Sequence, residues 1–396
     1  MIVIRNCRLV KALTEGYDGE TADVCLNGNL IEAIRPVGFD FKGEYTEIDA
    51  EGKTLIPGLI EMHTHLYSYT FNPYELLCST PGQYFFGAIK FMNAYLDAGY
   101  TTVRDCGSPS GVIAAVRDAV NEGIIQGPRL ISSGLIITPT ESGNDTFANI
   151  YYEADGPEEF RKAARKQLQE GNDFIKITAS GSFMNEGGDP GVQIIEPEEI
   201  RAAVKVAKRK ETYVSAHCHS ASSIKAAITE GVRTVEHGCF IDDECIELLK
   251  NSTDTYLVPT GAVSMYCANE DGSSDVSAET QEIQNRLMDA EISSINTAYH
   301  AGLKLGFGSD LDLEAFNYQP GYEFVARKKF YTFDDLDILI QATKNSSEIL
   351  GFGDTLGTIK EGKIADLVIV DGNPDEDIFV MTKPTIHVFK DGKIIK

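Results

Sequence analysis

The sequence is short of positive charge. Its 396 residues include 35 lysines and arginines against 60 aspartates and glutamates, so the formal net charge is −25. A surface this negative repels phosphate groups, and we expect neither a nucleic acid nor an anionic membrane as a partner. Long apolar runs are also missing, because none approaches the roughly 20 residues of a membrane-spanning helix.

Cys-x-x-Cys pairs and a secretion signal are missing as well. The eight cysteines are scattered along the chain. In a chain this long, that pattern indicates buried thiols in a reducing compartment. The first residues, Met1–Asn6, lack the basic, apolar and small-residue pattern of a signal peptide. We therefore expect a cytoplasmic protein.

A phosphate-binding Gly-x-Gly-x-x-Gly turn is absent, although an open doubly wound sheet ordinarily carries one after an early strand. The chain instead has eight short apolar runs, most of which alternate with a helical-looking stretch. This order predicts an α/β fold, a closed TIM-like (β/α)₈ barrel. The eight runs are Ile56–Met62, Thr101–Arg104, Leu130–Ser133, Phe174–Ile177, Tyr213–Ala216, Thr234–Val235, Tyr256–Val258 and Leu303–Phe307.

Both ends of the chain are rich in short strands separated by turn signals. Because unpaired edge strands are costly, the two ends are predicted to join. We predict a small β-sandwich from residues 1–56 plus 350–396, and a barrel from residues 57–349. The segment Asn269–Ser277, rich in Asp, Gly and Ser, is long enough to form a mobile lid over the barrel or a passive insertion.

Five of the seven histidines lie at or just past the carboxyl ends of predicted barrel strands, where barrel enzymes place their chemistry. His63 and His65 are two residues apart on a strand, so both imidazoles point to one side and can share a divalent cation. His217 and His237 end the fifth and sixth runs, and Asp310 follows the eighth. Together these side chains predict a metal site at one rim of the barrel.

Lys176 is unusual because it lies between apolar neighbours in the fourth run. An ammonium pointing into a barrel among metal ligands would be repelled by the cations and poorly solvated. Three interpretations stay open: the side chain extends to solvent, it has a lowered pKa and acts as a base or Schiff-base former, or carbon dioxide converts it to a carbamate.

These residues together resemble those of the amidohydrolase superfamily. The segment Pro57–His65 resembles the opening metal motif of that family, and Leu356–Val368 resembles its return into the β-sandwich. Asp173–Ile177, Ala216–His219 and Val235–Gly238 are most similar to the imidazolonepropionase-related branch, which includes prolidase-like Xaa-Pro dipeptidases. The remaining ligand positions follow along the chain in the order typical of the family: Lys176, His217, His237 and Asp310.

The resemblance implies a site with two divalent metal ions, most readily zinc. In the dipeptidases the lysine of the fourth strand is typically carboxylated and bridges both metals, and a hydroxide between the metals attacks the substrate. Asp310 would then act as the general base. The implied ligands are His63, His65 and Asp310 for one ion, His217 and His237 for the other, and carboxylated Lys176 as the bridge.

The implied activity is hydrolysis of a peptide or amide C–N bond in a small molecule, a dipeptide such as Xaa-Pro or an N-acyl amino acid. One departure concerns the loop Thr138–Asn144, where relatives commonly carry Gly-Gly-His. A cyclic-amide hydrolase of the imidazolonepropionase type, a deaminase and a non-catalytic scaffold relative stay open as alternatives, and so does a homo-oligomeric state.

Four further residues were assigned from their positions. His219 either points inward, as a hydrogen-bond partner of the ligands or a contact of the substrate, or is a loop residue without a chemical role. Arg104, beside Asp105, is predicted to form an internal ion pair that supports the barrel. His300 and His387 are predicted to lie away from the site.

Overall fold

The computed structural model describes residues 1–70, 72–182, 188–268 and 278–396. The predicted lid or insertion, Asn269–Ser277, therefore lies outside the described residues. Within those ranges the strands are β1 (Ile2–Leu9), β2 (Thr21–Asn27), β3 (Leu30–Arg35), β4 (Thr46–Asp49), β5 (Thr54–Pro57), β6 (Leu59–Thr64), β7 (Tyr100–Asp105), β8 (Arg129–Ser132), β9 (Ile136–Thr138), β10 (Tyr151–Glu153), β11 (Ile175–Thr178), β12 (Val214–Cys218), β13 (Thr234–His237), β14 (Tyr256–Val258), β15 (Leu367–Val370), β16 (His387–Lys390) and β17 (Lys393–Ile394).

The helices follow the barrel strands for most of the chain. Short 3₁₀ turns lie at Lys11–Leu13, Asn144–Phe147 and Ile378–Thr382, and a π-helical turn at Gln341–Asn345. The α-helices are α1 (Pro73–Leu77), α2 (Pro81–Asp97), α3 (Val112–Asn121), α4 (Gly156–Gln169), α5 (Pro197–Lys208), α6 (Ala221–Glu230), α7 (Asp243–Asn251), α8 (Gly261–Ala268), α9 (Ala278–His300), α10 (Leu313–Tyr318), α11 (Tyr322–Phe330), α12 (Asp335–Ile340) and α13 (Ser346–Ile349).

Local sequence explains how these helices begin. α5 starts at Pro197, and the side chains of Glu196 and Glu199 cap it reciprocally. Proline suits the first helical turn because its missing N–H would be unpaired there, and acidic residues suit the positive end of the helix. α2 begins in the same way, with Thr80 and Gln83 forming the capping box.

Strands from both ends of the chain form a separate β domain. Its eight strands lie in one sheet, in the order β17-β16-β15-β5-β1-β2-β3, with β4 also paired to β1. The join between the two ends is the antiparallel pair β15 and β5, in which Val368 lies opposite Ile56. The inner face has its own apolar core, which includes Ile4, Val24, Leu55, Ile369 and Phe389.

The rest of the fold is barrel-like, with parallel strands and surrounding helices. One sheet has the order β6-β7-β8 and the other β10-β9-β11-β12-β13-β14. The described ladders do not close into one continuous barrel, but backbone hydrogen bonds cross the gaps. Between β8 and β11, the amide of Asp173 donates to the carbonyl of Ser132 at 2.7 Å.

The prediction of a regular eighth strand at Leu303–Phe307 is wrong, because only an isolated bridge between Leu257 and Leu305 forms there. Leu303–Phe307 is an extended segment that bridges β14 and β6 through few contacts. The amide of Gly306 donates to the carbonyl of Leu257 at 2.9 Å, and the amide of Met62 donates to the carbonyl of Phe307 at 2.8 Å. This segment therefore crosses the second gap and leads directly to Asp310.

Among the described residues, no helix is both long enough and apolar enough to cross a bilayer.

Candidate metal centre

The six predicted metal ligands meet in one pocket at the carboxyl rim of the barrel-like strands. His63 lies near the end of β6, and His65 directly follows that strand. β11, β12 and β13 each contribute one side chain, and Asp310 follows the extended segment. Parallel strands end at the same rim, which is why residues far apart in sequence converge here. The six are His63, His65, Lys176, His217, His237 and Asp310.

Two groups of three possible ligands include at least two of these six residues. One contains His63, His65 and Asp310, and the other contains His217, His237 and His219. In each group, one ligand atom of each residue lies within 4.8 Å of the other two. The sequence predicted both groups except for His219, whose role it left open.

The first group surrounds a carboxylate. Asp310 Oδ1 lies 3.4 Å from His65 Nε2 and 3.6 Å from His63 Nε2. The other ring nitrogens are held from behind, because His63 Nδ1 lies 2.8 Å from Glu236 Oε2 and His65 Nδ1 lies 2.8 Å from the carbonyl of Gly107. Such partners fix the tautomer and the orientation of a metal-binding imidazole.

The second group is built on β12 and β13. The rings of His217 and His237 are 4.6 Å apart. His237 Nδ1 lies 2.8 Å from Thr260 Oγ1, and His217 Nε2 lies 3.3 Å from the carbonyl of Gly181. Each ring therefore keeps its other nitrogen for a ligand.

His219 lies inside this second group. Its ring is 4.5 Å from that of His217 and stacks on that of His237 at 4.9 Å. Its Nδ1 lies 2.9 Å from Cys239 Sγ. Of the two sequence interpretations, this position favours a residue that belongs to the site.

Lys176 is buried, with 2% of its surface exposed, and its Nζ lies 3.4 Å from His63 Nε2. The interpretation in which this side chain extends to solvent is therefore wrong. The remaining two interpretations, an amine base and a carbamate, both require a lysine held among the ligands.

Burial sets the protonation of the site. It lowers the pKa of His63, His217 and His237 well below the ordinary value, with the charge of Lys176 acting in the same direction. Burial also lowers the pKa of His65 to about 4. These imidazoles are therefore neutral near pH 7, which is the form that binds metals.

Burial shifts the pKa of Asp310 in the opposite direction to the pKa values of the histidines. Burial raises the pKa of its carboxyl to about 7, against a smaller lowering by Lys176. A carboxyl group that gains and loses its proton near neutral pH is suited to proton transfer.

Two of the six residues have a strained backbone. His237 has φ of 68° and Asp310 has φ of 55°, both in the left-handed region that non-glycine residues rarely occupy. Such conformations persist where the surrounding structure imposes them, and they cluster at functional sites. The amide of Asp310 donates to the carbonyl of His63 at 2.8 Å, which ties this turn to the first strand.

The internal ion pair predicted for Arg104 exists, but its partner is Glu236. Arg104 Nη2 lies 2.8 Å from Glu236 Oε1, and both side chains are fully buried. Asp105 accepts hydrogen bonds from the amide of Leu66 at 2.8 Å and from Ser108 Oγ at 2.7 Å instead. Sequence reasoning missed Glu236, although an acidic residue directly before His237 was an available signal.

The wall above the ligands is mostly apolar. His300 and His387 lie away from it, bonded to Thr332 Oγ1 at 2.7 Å and to the carbonyl of Lys396 at 3.0 Å. The large wall residues include Tyr67, Leu76, Ile136, Phe147, Ile150, Tyr151 and Val263.

The donor set fits divalent cations. Neutral imidazoles with one nitrogen held and the other available, together with a buried carboxylate, are the ligands that zinc and related ions prefer. Barrel-like strands with such groups at their carboxyl rim are typical of metal-dependent hydrolases.

Comparison with known proteins agrees with this class. The chain belongs to the amidohydrolase family, whose model matches residues 54–395. It is 30% identical over 374 residues to ochratoxinase from Aspergillus niger, covering 86% of this chain and 75% of that protein. The sequence resemblance to this family is confirmed.

Solved structures give the same result. A prolidase in complex with N-methylphosphonate-L-proline is 30% identical, with a TM-score of 0.89 and coverage of 100% of this chain and 99% of that chain. An Xaa-Pro dipeptidase with methionine bound in its active site is 27% identical, with a TM-score of 0.88 and coverage of 100% and 99%. The protein is therefore a hydrolase that acts on carbon–nitrogen bonds.

Proposed function

We propose that this protein hydrolyses the amide bond of a small molecule, a dipeptide such as Xaa-Pro or an N-acyl amino acid, with two divalent cations. The observation that carries this proposal is the convergence of six side chains on one pocket, with Asp310 between two imidazoles. Two protein groups would each hold one cation, and carboxylated Lys176 would bridge them.

Bound cations would supply a hydroxide near neutral pH and polarise the scissile carbonyl. His63, His65 and Asp310 would hold one, and His217 and His237 the other. The protein's part in proton transfer falls to Asp310. Its carboxylate takes the proton of the attacking water and delivers it to the leaving nitrogen as the C–N bond breaks, which yields a carboxylic acid and an amine.

The residues behind the ligands keep this geometry fixed. Arg104 and His63 both contact Glu236, so one buried carboxylate orients the imidazole and neutralises the guanidinium. Removing Arg104 or Glu236 would leave the charge of the other buried and uncompensated, which costs about 3–5 kcal/mol. Arg104 and Glu236 are not among the described residues that line the pocket, so they support His63 from behind.

The apolar wall of the pocket favours a substrate with a large apolar group. Tyr67, Phe147 and Tyr151 are aromatic and line the same pocket as the ligands. Aromatic and aliphatic walls with a few convergent polar groups are typical of small-molecule sites. We therefore infer that the preferred dipeptides and N-acyl amino acids carry an aromatic or branched side chain next to the scissile bond.

The test is a screen of protein loaded with zinc. Xaa-Pro dipeptides, N-acyl amino acids with small or aromatic acyl groups, and ochratoxin would be incubated with the protein, and the released amine measured. We expect release from at least one amide with an aromatic group, and loss of that activity in Asp310→Asn. Protein that carries two cations per chain and releases no amine from any member of the panel would contradict the proposal.

The same experiment separates the alternatives. A deaminase would release ammonia from an amino heterocycle and leave every amide of the panel intact. A cyclic-amide hydrolase of the imidazolonepropionase type would open an imidazolone ring without needing Lys176. Measuring the effect of Lys176→Ala on the best substrate therefore distinguishes these activities.

A further inference from the structure

His219 has the same environment as the predicted ligands around it. It is 4% exposed, and its ring lies against those of His217 and His237. The three ring centroids are 4.5, 4.6 and 4.9 Å apart, so no ring is remote from the other two. One ring nitrogen from each falls within the distance that a shared cation requires.

The nitrogen atoms of His219 are also arranged as in three of the other four imidazoles of the site, His217 being the exception because its Nε2 faces the carbonyl of Gly181. His63, His65 and His237 each have Nδ1 within 2.8 Å of a polar partner, which leaves Nε2 for the site. His219 repeats this pattern, because its Nδ1 lies 2.9 Å from Cys239 Sγ. A partner on one nitrogen is what orients metal-binding imidazoles in proteins.

The residues behind Cys239 are themselves fixed. Cys239 Sγ lies 3.9 Å from Glu291 Oε2, and Tyr331 OH donates to Glu291 Oε1 at 2.6 Å. Cys239 and Glu291 are each 2% exposed. The Nδ1 side of His219 therefore faces a packed interior, and Nε2 is the nitrogen left for a ligand shared with His217 and His237.

We propose that His219 is a third imidazole ligand of the second cation, together with His217 and His237. This inference rests on the proposed metal-dependent function and adds a ligand that the sequence motifs did not assign. Three imidazoles are a sufficient set for a zinc ion with an open fourth position. The second cation is then held even where Lys176 carries no carbon dioxide.

The proposal has a consequence for the two cations. A second site that depended on carboxylated Lys176 would empty when bicarbonate is removed. With His219 as a ligand, the second cation stays bound, and only the bridge is lost. An unmodified ammonium at Lys176 would weaken both cations by repulsion, so Lys176→Ala is the suitable background for the measurement.

The experiment counts zinc per chain by mass spectrometry after equilibrium dialysis without bicarbonate. We expect two ions in Lys176→Ala and one in the double variant Lys176→Ala/His219→Asn. The matched control is Lys176→Ala/His300→Asn, since His300 lies away from the site, and it should keep two ions. Two ions in the His219 double variant, or one in Lys176→Ala itself, would overturn the proposal.

A second variant keeps the proposal testable if substitution of His219 prevents folding. Cys239→Ala removes the partner of Nδ1 and leaves the imidazole in place. Loss of such a partner lowers metal affinity by roughly 10–100-fold. We expect this loss for one of the two zinc ions in Cys239→Ala and none in Cys245→Ala, another buried cysteine. Equal affinities for both ions in Cys239→Ala would overturn the proposal.

The absorption spectrum of the cobalt-loaded protein reports on the ligands without any substrate. Replacing His219 by Asn should change the visible bands of the second cobalt ion, because one nitrogen donor is lost. Unchanged bands in a folded variant would contradict a direct bond. If the cations bind as proposed but no amide is hydrolysed, the proposed function fails while this ligand assignment stands.

Discussion

The floor and the wall of the pocket differ in origin and in chemistry. The floor consists of the six predicted ligands at the strand ends, and its side chains are polar and held by partners. The wall comes from loops, short helices and the strands β9 and β10, and it is mostly apolar. This difference indicates that the floor determines which bond is broken and the wall determines which molecule enters. The wall residues are Tyr67, Leu76, Ile136, Phe147, Ile150, Tyr151 and Val263.

The largest effect on turnover is expected from a substitution on the floor, at Asp310. Replacing Asp310 by Asn keeps an oxygen that can contact a cation but removes the proton acceptor. General acid–base catalysis contributes about 10²–10⁴-fold, so we expect kcat to fall by that factor with some metal still bound. Turnover of the best amide substrate and zinc content per chain are measured on the same sample.

The control is Asp371→Asn, an exposed residue outside the pocket, which should keep full turnover. Full turnover in Asp310→Asn would show that another group takes the proton, and the assignment of the floor would then need to change.

A smaller but still large effect is expected at Lys176. Lys176→Ala removes the proposed bridge, and we expect turnover to fall by about 100-fold or more, since loss of even an outer partner of a metal ligand costs roughly 10–100-fold. Because a carbamate carries a carboxylate, added acetate or propionate should restore part of the activity. An amine base would not be replaced by these acids, so absence of rescue favours the amine interpretation.

The wall should affect substrate choice and leave the metals in place. Phe147→Ala removes an aromatic side chain that lines the pocket. Burying a side chain of this size is worth about 1.5–3 kcal/mol, so kcat/KM for an aromatic substrate should fall by roughly 10–150-fold. The value for a substrate with a small acyl group should change much less.

Zinc content in Phe147→Ala should equal that of the original protein. The matched control is Phe86→Ala, a phenylalanine that is 75% exposed. An equal loss of kcat/KM for small and aromatic substrates would mean that the wall does not select the substrate.

The smallest effect is expected at Glu61, behind the floor, and it concerns the pH dependence of the unfolding free energy. Burial raises the pKa of this carboxyl from 4.5 to about 8. The folded protein therefore keeps a proton that the unfolded chain has already lost, and stability falls as pH rises from about 4.5 to 8. Glu61→Gln cannot ionise, so its unfolding free energy should lose this part of the pH dependence.

Urea unfolding at pH 5, 6.5 and 8 measures this difference. Gln keeps an oxygen that can accept from the amides of His63 and Ser309, as Glu61 Oε1 does at 2.9 Å, so activity should change little. Exposed Glu122→Gln serves as the control. Parallel stability curves for Glu61→Gln and the original protein would contradict a protonated Glu61.

The floor could be predicted from sequence because its six residues lie within an apolar run or a few residues after one. The extended segment before Asp310 could not, because its pairing depends on contacts with two other strands. Gly308 illustrates the reason: a Cβ there would lie 2.7 Å from His63 Cβ, so the close approach of the two chains requires glycine. The segment lies near β6 without forming a regular ladder, and a run of apolar residues does not encode this.

The wall and the support network were beyond sequence reasoning for a related reason. Phe147 ends a short 3₁₀ turn and Tyr151 begins the three-residue strand β10, elements too short to show a regular period, and only the fold brings these two side chains over the ligands. Glu236 was missed because its partners, Arg104 and His63, are more than 100 residues away in the chain. Likewise, His219 could be placed only after its distance to Cys239 was known.

The most direct measurement is the zinc content of the protein together with amide hydrolysis, before and after removal of metal by a chelator. We predict two ions per chain, loss of activity in the chelated protein and recovery when zinc is added back. His63→Asn and His237→Asn should each lower the content by one ion. Amide hydrolysis that is as fast in metal-free protein, or a folded protein that binds no zinc, would contradict the metal-dependent function.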